Sequence, residues 1–319
     1  MAESEHSPTL TESDPYAGRR RAMMERRLAF EQSRHVNDGK ETDPLGLKLT
    51  ILIPLITWGL KLLGLWNRGR RNALNVQLRE REWRIPGLPA GLDGCRILHL
   101  SDFHYPSTDL EFARAVEDAV EGLEVDLCVL TGDYRFGHFG AVDHVPDRMA
   151  ALLKKFHARH GVYAVLGNHD VSPIIEPFRE LGIDLLINEG REVDVNGVPV
   201  WIGGTEDPHK VRGDDLEAAM HGATDEHFVV ALVHTPELIE EAADAGARLY
   251  FCGHTHGGQI CLPWWGPVET NADVAPRFIH GEWEHRGLFG LTTGGVGTTD
   301  IPVRFNCPAE GYVITLRGA

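Results

Sequence analysis

Two short pairs of metal-ligand residue types stand far apart in this chain, Asp102-Phe103-His104 and His254-Thr255-His256, with Asp133, Asn168-His169-Asp170 and His234 between them. Carboxylate oxygen and imidazole nitrogen together suit divalent cations such as manganese, iron or zinc, and a carboxylate such as Asp133 can bridge two of them. The set reads as a two-metal hydrolytic centre, with manganese favoured. Each group alone has an ordinary explanation, since an Asp after a strand is commonly a turn or cap residue. Their joint occurrence, each after a short apolar run, points to one cluster.

The runs that position them have strand character: Arg96–Leu100 before Asp102, Asp126–Leu130 before Asp133, Gly161–Leu166 before Asn168, Phe228–Val233 before His234 and Arg248–Phe251 before His254. Groups that end such strands gather along one sheet edge, where ligands commonly bind. Residues i and i+2 of extended backbone share a face, so the spacing predicts that Asp102 converges with His104, and His254 with His256, if these segments are extended. Helical periodicity covers Asp109–Val120, Met149–His157 and Ile174–Leu181, and more strands are expected at Val193–Val195, Pro199–Gly203, Gln259–Leu262, Leu288–Thr292 and Gly311–Leu316. The strand-rich later half favours an α/β fold of two packed β-sheets flanked by helices over a single doubly wound sheet.

Charge divides the chain. Up to Gly94 there are 15 Lys and Arg against 12 Asp and Glu, a balance of +3; from Cys95 onward there are 16 against 35, a balance of −19. So acidic a catalytic part argues against non-specific nucleic-acid binding, which needs a basic footprint. The five cysteines are odd in number and form no Cys-x-x-Cys pair, so reduced, mostly buried thiols of a cytosolic protein are expected rather than a disulfide framework.

Four regions are expected: a polar, disordered tail over 1–44 with a transient helix at Arg19–Arg34; an apolar membrane-associating segment over 45–66; a linker over 67–94; and a catalytic domain over 95–319. The charge-free core of the apolar segment, Leu49–Leu60, is shorter than the ~20 residues that a spanning helix wants. Its polar residues fall largely on one stripe, which suits a helix lying in the membrane interface, although a spanning helix and an ordinary packed helix are alternatives. About 45 polar residues precede the segment, which argues against a cleaved signal peptide. Arg68, Arg70, Arg71, Arg79, Arg81 and Arg84 follow it and place that side in the cytoplasm.

Five blocks in order, Asp102-Phe103-His104, Gly132-Asp133-Tyr134, Gly167-Asn168-His169-Asp170, Val233-His234 and Gly253-His254-Thr255-His256, resemble a calcineurin-like metallophosphoesterase, with coverage from about Cys95 onward. Gly253-His254-Thr255-His256-Gly257-Gly258-Gln259 and Pro302-Val303-Arg304-Phe305-Asn306-Cys307-Pro308 further resemble the bacterial membrane-associated phosphodiesterase branch, which includes enzymes cleaving UDP-diacylglucosamine. The resemblance implies a four-layer αββα sandwich. It implies one metal held by Asp102, His104 and His256, a second by Asn168, His234 and His254, and Asp133 bridging them. His169, oriented by Asp170, would serve the phosphate and the leaving oxygen as a catalytic group.

Gly132-Asp133-Tyr134-Arg135-Phe136-Gly137 departs from the protein phosphatase pattern of this superfamily, which disfavours phosphoproteins. Arg135 is expected to be solvated, Gly294-Gly295-Val296-Gly297 to be a tight turn, and Trp264-Trp265 either to line a substrate groove or to pack on the core. The expected function is metal-dependent hydrolysis of a phosphodiester or pyrophosphate, on a lipid-linked or amphiphilic substrate at the cytoplasmic membrane face. A soluble nucleotide or cyclic-nucleotide phosphodiesterase, or a catalytically silent membrane-tethered module, is the alternative.

Overall fold

A computed structural model describes residues 15–36, 44–137, 141–267 and 269–319. Five strands open the first sheet: β1 (Gln77–Ile85), β2 (Arg96–Leu100), β3 (Leu127–Leu130), β4 (Val162–Ala164) and β5 (Ile183–Leu185). The second sheet follows with β6 (Glu189–Val195), β7 (Val198–Gly204), β8 (Phe228–Leu232), β9 (Leu249–Cys252), β10 (Gly281–His285) and β11 (Leu288–Thr292), and β12 (Glu310–Gly318) then returns to the first. The strand orders are β1-β12-β2-β3-β4-β5 and β10-β11-β9-β8-β7-β6. The centre of each sheet is parallel apart from the antiparallel β12–β2 pair, and β6 and β10 lie antiparallel on the edges of the second.

Alternation along the strands builds the layers. Leu127 and Val129 of β3 face the second sheet with Ile97, Val200, Ile202, Val230, Leu232, Phe251 and Ile314, whereas Leu98, Leu100, Cys128 and Leu130 face the helices outside the first. Helices α4 (Leu110–Val120), α5 (His144–Leu153) and α6 (Ile175–Glu180) send Val116, Met149 and Phe178 into that outer layer. On the far side, α7 (Ile239–Asp244) packs Ile239 and Ala242 with Val229, Ala231 and Tyr250. Helix, sheet, sheet and helix are thus the four layers expected of the chain, with an apolar cluster at each interface.

Several elements differ from expectation. Helix α5 starts at His144 and ends at Leu153; Phe156–Ala158, expected to end that helix, instead pairs with Leu123–Val125. Strands β1, β5 and β10 lie in segments where none was expected. The N-terminal stretch expected to be disordered contains α1 (Ala17–Val36), and its helix is docked rather than transient. Arg27, though charged, is fully buried there because Glu206 meets its guanidinium with two hydrogen bonds and the Asp170 carbonyl accepts a third at 2.9 Å. Glu31 accepts from the Ser172 backbone N–H and hydroxyl, both at 2.8 Å. Two more helices, α2 (Pro44–Leu62, with Pro54 inside) and α3 (Trp66–Leu74), lead into β1. No described helix is long and apolar enough to cross a membrane.

Candidate metal centre

Strands β2, β3, β8 and β9 end side by side, and the loops that leave them carry Asp102 and His104, Asp133, His234, and His254 and His256; Asn168 follows β4. Convergence does not come from strand alternation. The two paired segments are not extended: φ is 54° at Asp102, 42° at His104, 69° at His254 and 51° at His256, and it is 56° at Asp133. Left-handed backbone of this kind is costly for non-glycine residues, and it recurs where surrounding structure fixes a functional site. The chain turns inward at each of these five residues and is held there by ties between loops: Asp102 N–H donates to Gly132, His104 N–H to Asp133, and Gly297 N–H to the Asp102 carbonyl, at 2.8–2.9 Å.

The donors crowd together. His104 Nε2 lies 3.0 Å from His256 Nε2, His256 Nε2 lies 3.4 Å from an Asp102 oxygen, and His104 Nε2 lies 3.6 Å from Asp133. On the other side of Asp133, its Oδ2 is 3.2 Å from His234 Nε2, which is also 3.2 Å from His254 Nδ1 and from Asn168 Oδ1. Two triads, Asp102–His104–His256 and Asp133–His234–His254, therefore have donor atoms within 4.8 Å of one another. A third, His104–Asp133–His169, brings in the histidine expected to serve the substrate rather than a metal.

Chemistry fits two cations. His104 donates from Nδ1 to the Arg135 carbonyl (3.1 Å), His234 from Nδ1 to Thr131 (2.7 Å), and His254 from Nε2 to Asn271 (2.9 Å), so each turns its other ring nitrogen toward the cluster. Burial lowers His104 to about 3 and His254 to about 4, and with the nearby His104 and Arg304 it holds His256 well below the imidazole range. Ligation requires such neutral rings; His234 differs, since burial disfavours its charge but Asp133 and Asp102 prevail and raise it to about 10, so a cation would have to displace its proton. Burial also disfavours charge on Asp133, but His234, His169 and His104 prevail and hold it well below the usual carboxylate range. Ring nitrogens crowded together beside carboxylates would be satisfied by cations lying between them.

Around the donors, backbone comes unusually close. A Cβ on Gly253 would sit 2.1 Å from Asp102 Oδ2, and one on Gly297 would sit 2.1 Å from the Phe103 carbonyl. The segment Gly294–Gly297 is thus neither phosphate cradle nor mere turn; it lies against the Asp102 loop. Arg304, fully buried and unexpected as a site residue, donates to the carbonyls of Gly294, Gly295, Gly297 and His256. Only its place in the Pro302–Pro308 motif signalled it.

His169 donates its backbone N–H to Asp133 Oδ1 (2.8 Å), and its Nδ1 meets the Gly137 carbonyl at 2.9 Å. Asp170 acts differently from the expectation: its carboxylate accepts from the N–H groups of Gly167, Asp133, Tyr134 and Arg135, pinning the Asp133 loop to the Asn168 loop. Arg135 is 2% exposed and not solvated. Asp207 is buried and accepts from the N–H groups of His209, Lys210 and Val211, while the His209 ring lies 4.6 Å from that of His254. All five cysteines are described, and each is a free thiol outside any disulfide.

A family model described as calcineurin-like phosphoesterase matches residues 95–258. The chain is similar to the uncharacterized metallophosphoesterase YkuE of Bacillus subtilis, 28% identical over 242 residues that span 72% of this chain and 82% of the relative. It is also similar to a transmembrane protein with metallophosphoesterase domain from Bos taurus, 26% identical over 313 residues, 92% of this chain and 67% of the relative. Among solved structures, the phosphopantetheinyl hydrolase PptH of Mycobacterium tuberculosis superposes with a TM-score of 0.42 and 12% identity, over 65% of this chain and 92% of that one.

Proposed function

Because the chain belongs to the calcineurin-like phosphoesterase family, we propose that it cleaves a phosphodiester or pyrophosphate bond in a lipid-linked or amphiphilic substrate at the cytoplasmic face of a membrane. The observation that supports this most is the convergence of imidazole nitrogens from His104, His234, His254 and His256 on Asp102 and Asp133. In this reading Asp102, His104 and His256 would hold one ion, Asn168, His234 and His254 would hold the other, and Asp133 would serve both. When bound, the ions lower the pKa of water and neutralise charge on the phosphoryl oxygens.

The protein's own part is orientation and proton handling. Asp133 keeps its charge at neutral pH, so it neutralises cations and leaves the proton of an attacking water to the solvent or to a neighbouring imidazole. His169, its ring held at Nδ1 by Gly137 and its backbone by Asp133, presents its other edge to the phosphate and protonates the departing oxygen. Tyr134 is fully buried against Phe103 and donates to the Val165 carbonyl, so the position after Asp133 braces the core rather than reading a phosphopeptide. Membrane association is supported by α2, whose Ile51, Leu55, Trp58 and Leu62 are exposed, and by the resemblance to the membrane-associated branch.

Hydrolysis of bis(p-nitrophenyl) phosphate and p-nitrophenyl phosphate, after chelation and readdition of single metals, tests the reading. Activity should return with metal, manganese first. His169→Ala should lose roughly 10²–10⁴-fold in rate with its metal content unchanged. A variant that loses metal in proportion to rate would make His169 a ligand and remove it from proton transfer.

A further inference from the structure

Trp264 and Trp265 belong neither to the core nor to a groove. Cys261–Leu262 pairs with Gly266–Pro267 in a two-stranded hairpin, and the two indoles at its tip are 100% and 87% exposed, with Leu262 beside them half exposed. Left-handed backbone at Trp264 (φ 66°) and Gly266 (φ 81°) closes the tip, so the exposure is built into the turn. The base of the hairpin is tied to the centre: the Cys261 thiol donates to Gly257, one residue past His256, and Pro267 packs against Gly258.

The same hairpin is linked to α2. Cys261 N–H donates to the Phe305 carbonyl (2.9 Å), and Asn306 Nδ2 donates to the Cys261 carbonyl (2.7 Å). From the other side, Arg304 N–H donates to the Gly69 carbonyl of α3, Asn72 Nδ2 donates to the Arg304 carbonyl, and Phe305 packs against Gly69. The segment Val303–Cys307 therefore carries α3, with α2 before it, and the hairpin as well. Exposed apolar side chains on α2 are accompanied by exposed Lys61, Arg68 and Arg71, in a molecule whose catalytic part is strongly acidic.

We propose that the Trp264–Trp265 hairpin is a second bilayer contact which, together with α2, seats the rim of the metal centre on an anionic lipid surface. This rests on the membrane reading above. Lipid fits better than a protein partner because the apolar groups are separate protrusions rather than one groove, and because tryptophan and flanking cations are the side chains that suit a membrane interface. Helix α2 is not long and apolar enough to cross, so it lies along such a surface. A lipid-anchored phosphoester would then meet the centre without leaving the bilayer.

The test is sedimentation of the full chain with phosphatidylcholine vesicles containing or lacking phosphatidylglycerol, and quenching of tryptophan fluorescence by brominated lipid. The double variant Trp264→Ser/Trp265→Ser should bind anionic vesicles roughly tenfold or more weakly and lose a quenched component, with hydrolysis of bis(p-nitrophenyl) phosphate unchanged. Ile51→Ser/Leu55→Ser/Trp58→Ser should weaken binding independently. If the hairpin variant binds like the wild type while the α2 variant is released, the hairpin proposal falls and the membrane reading stands. If the wild type ignores anionic vesicles, both fall. A hairpin variant that changes the scattering mass of the wild type and not its partitioning would make the patch a self-contact and overturn the proposal.

Discussion

Asp102, sitting in left-handed backbone at φ 54°, is held from three directions: its carboxylate accepts from His254 N–H at 3.0 and 3.1 Å, its carbonyl accepts from Gly297, and Gly253 leaves room for Oδ2. A single methyl group at Gly253 has nowhere to go, because both Asp102 and the Ser101 hydroxyl occupy the space. Gly253→Ala should therefore displace a ligand without removing one, and weaken binding of one metal roughly 10–100-fold, the usual effect of disturbing a ligand's support; isothermal titration of the chelated protein with manganese checks this. The donor types and their order along the chain were legible in sequence, since each occupies a chemically telling position after an apolar run. Their geometry was not. Five of the donors turn inward through left-handed backbone, which Asp and His enter more readily than most residues but which no apolar pattern announces, and the loops that stabilise it, Gly132 and Gly297 among them, are remote in sequence.

Helix α1 shows the same limit one level up. Its sequence is charged, and nothing local distinguishes Arg27, which is buried, from exposed arginines along the same helix. The distinction lies with Glu206, after β7, and with Asp170, whose carbonyl takes the remaining donor. Removing one partner leaves a charge in the interior, so Arg27→Ala should cost about 3–5 kcal/mol in urea unfolding of the full chain. Arg27→Met combined with Glu206→Leu should recover much of that loss, because the interior charge is then gone on both sides. Strand β1 escaped notice for a related reason. Gln-Leu-Arg-Glu-Arg-Glu-Trp-Arg-Ile has four charged residues in a row, Arg79 to Glu82, so no apolar run or alternation marks it, and its identity rests on pairing with β12. The central strands, apolar on both faces because both faces are covered, were correspondingly easy to read.

Across the whole molecule, the acidic surface, the buried donor cluster and the apolar protrusions are held on one sandwich whose first sheet is closed in an unusual sequence order. β12 lies between β1 and β2: it runs parallel to β1, Gln77 opposite Glu310 through Ile85 opposite Gly318, and antiparallel to β2. Arg79 and Glu310 pair across it at 2.6 Å. More than two hundred residues thus separate neighbours in this sheet, a topology that delays closure and slows folding. On the ribosome, β1 and β2 are made first and must wait for the strand that joins them, so a nascent chain halted before Glu310 should remain open to protease throughout the β2–β4 region, becoming resistant once β12 has emerged; pulse proteolysis of stalled and released chains would show it. Until then the β1 and β2 edges are exposed and the donor loops lie on an unfinished sheet. Metal capture by the assembled centre therefore belongs after translation of β12, which makes quality control of this protein a matter of how long the growing chain can be shielded.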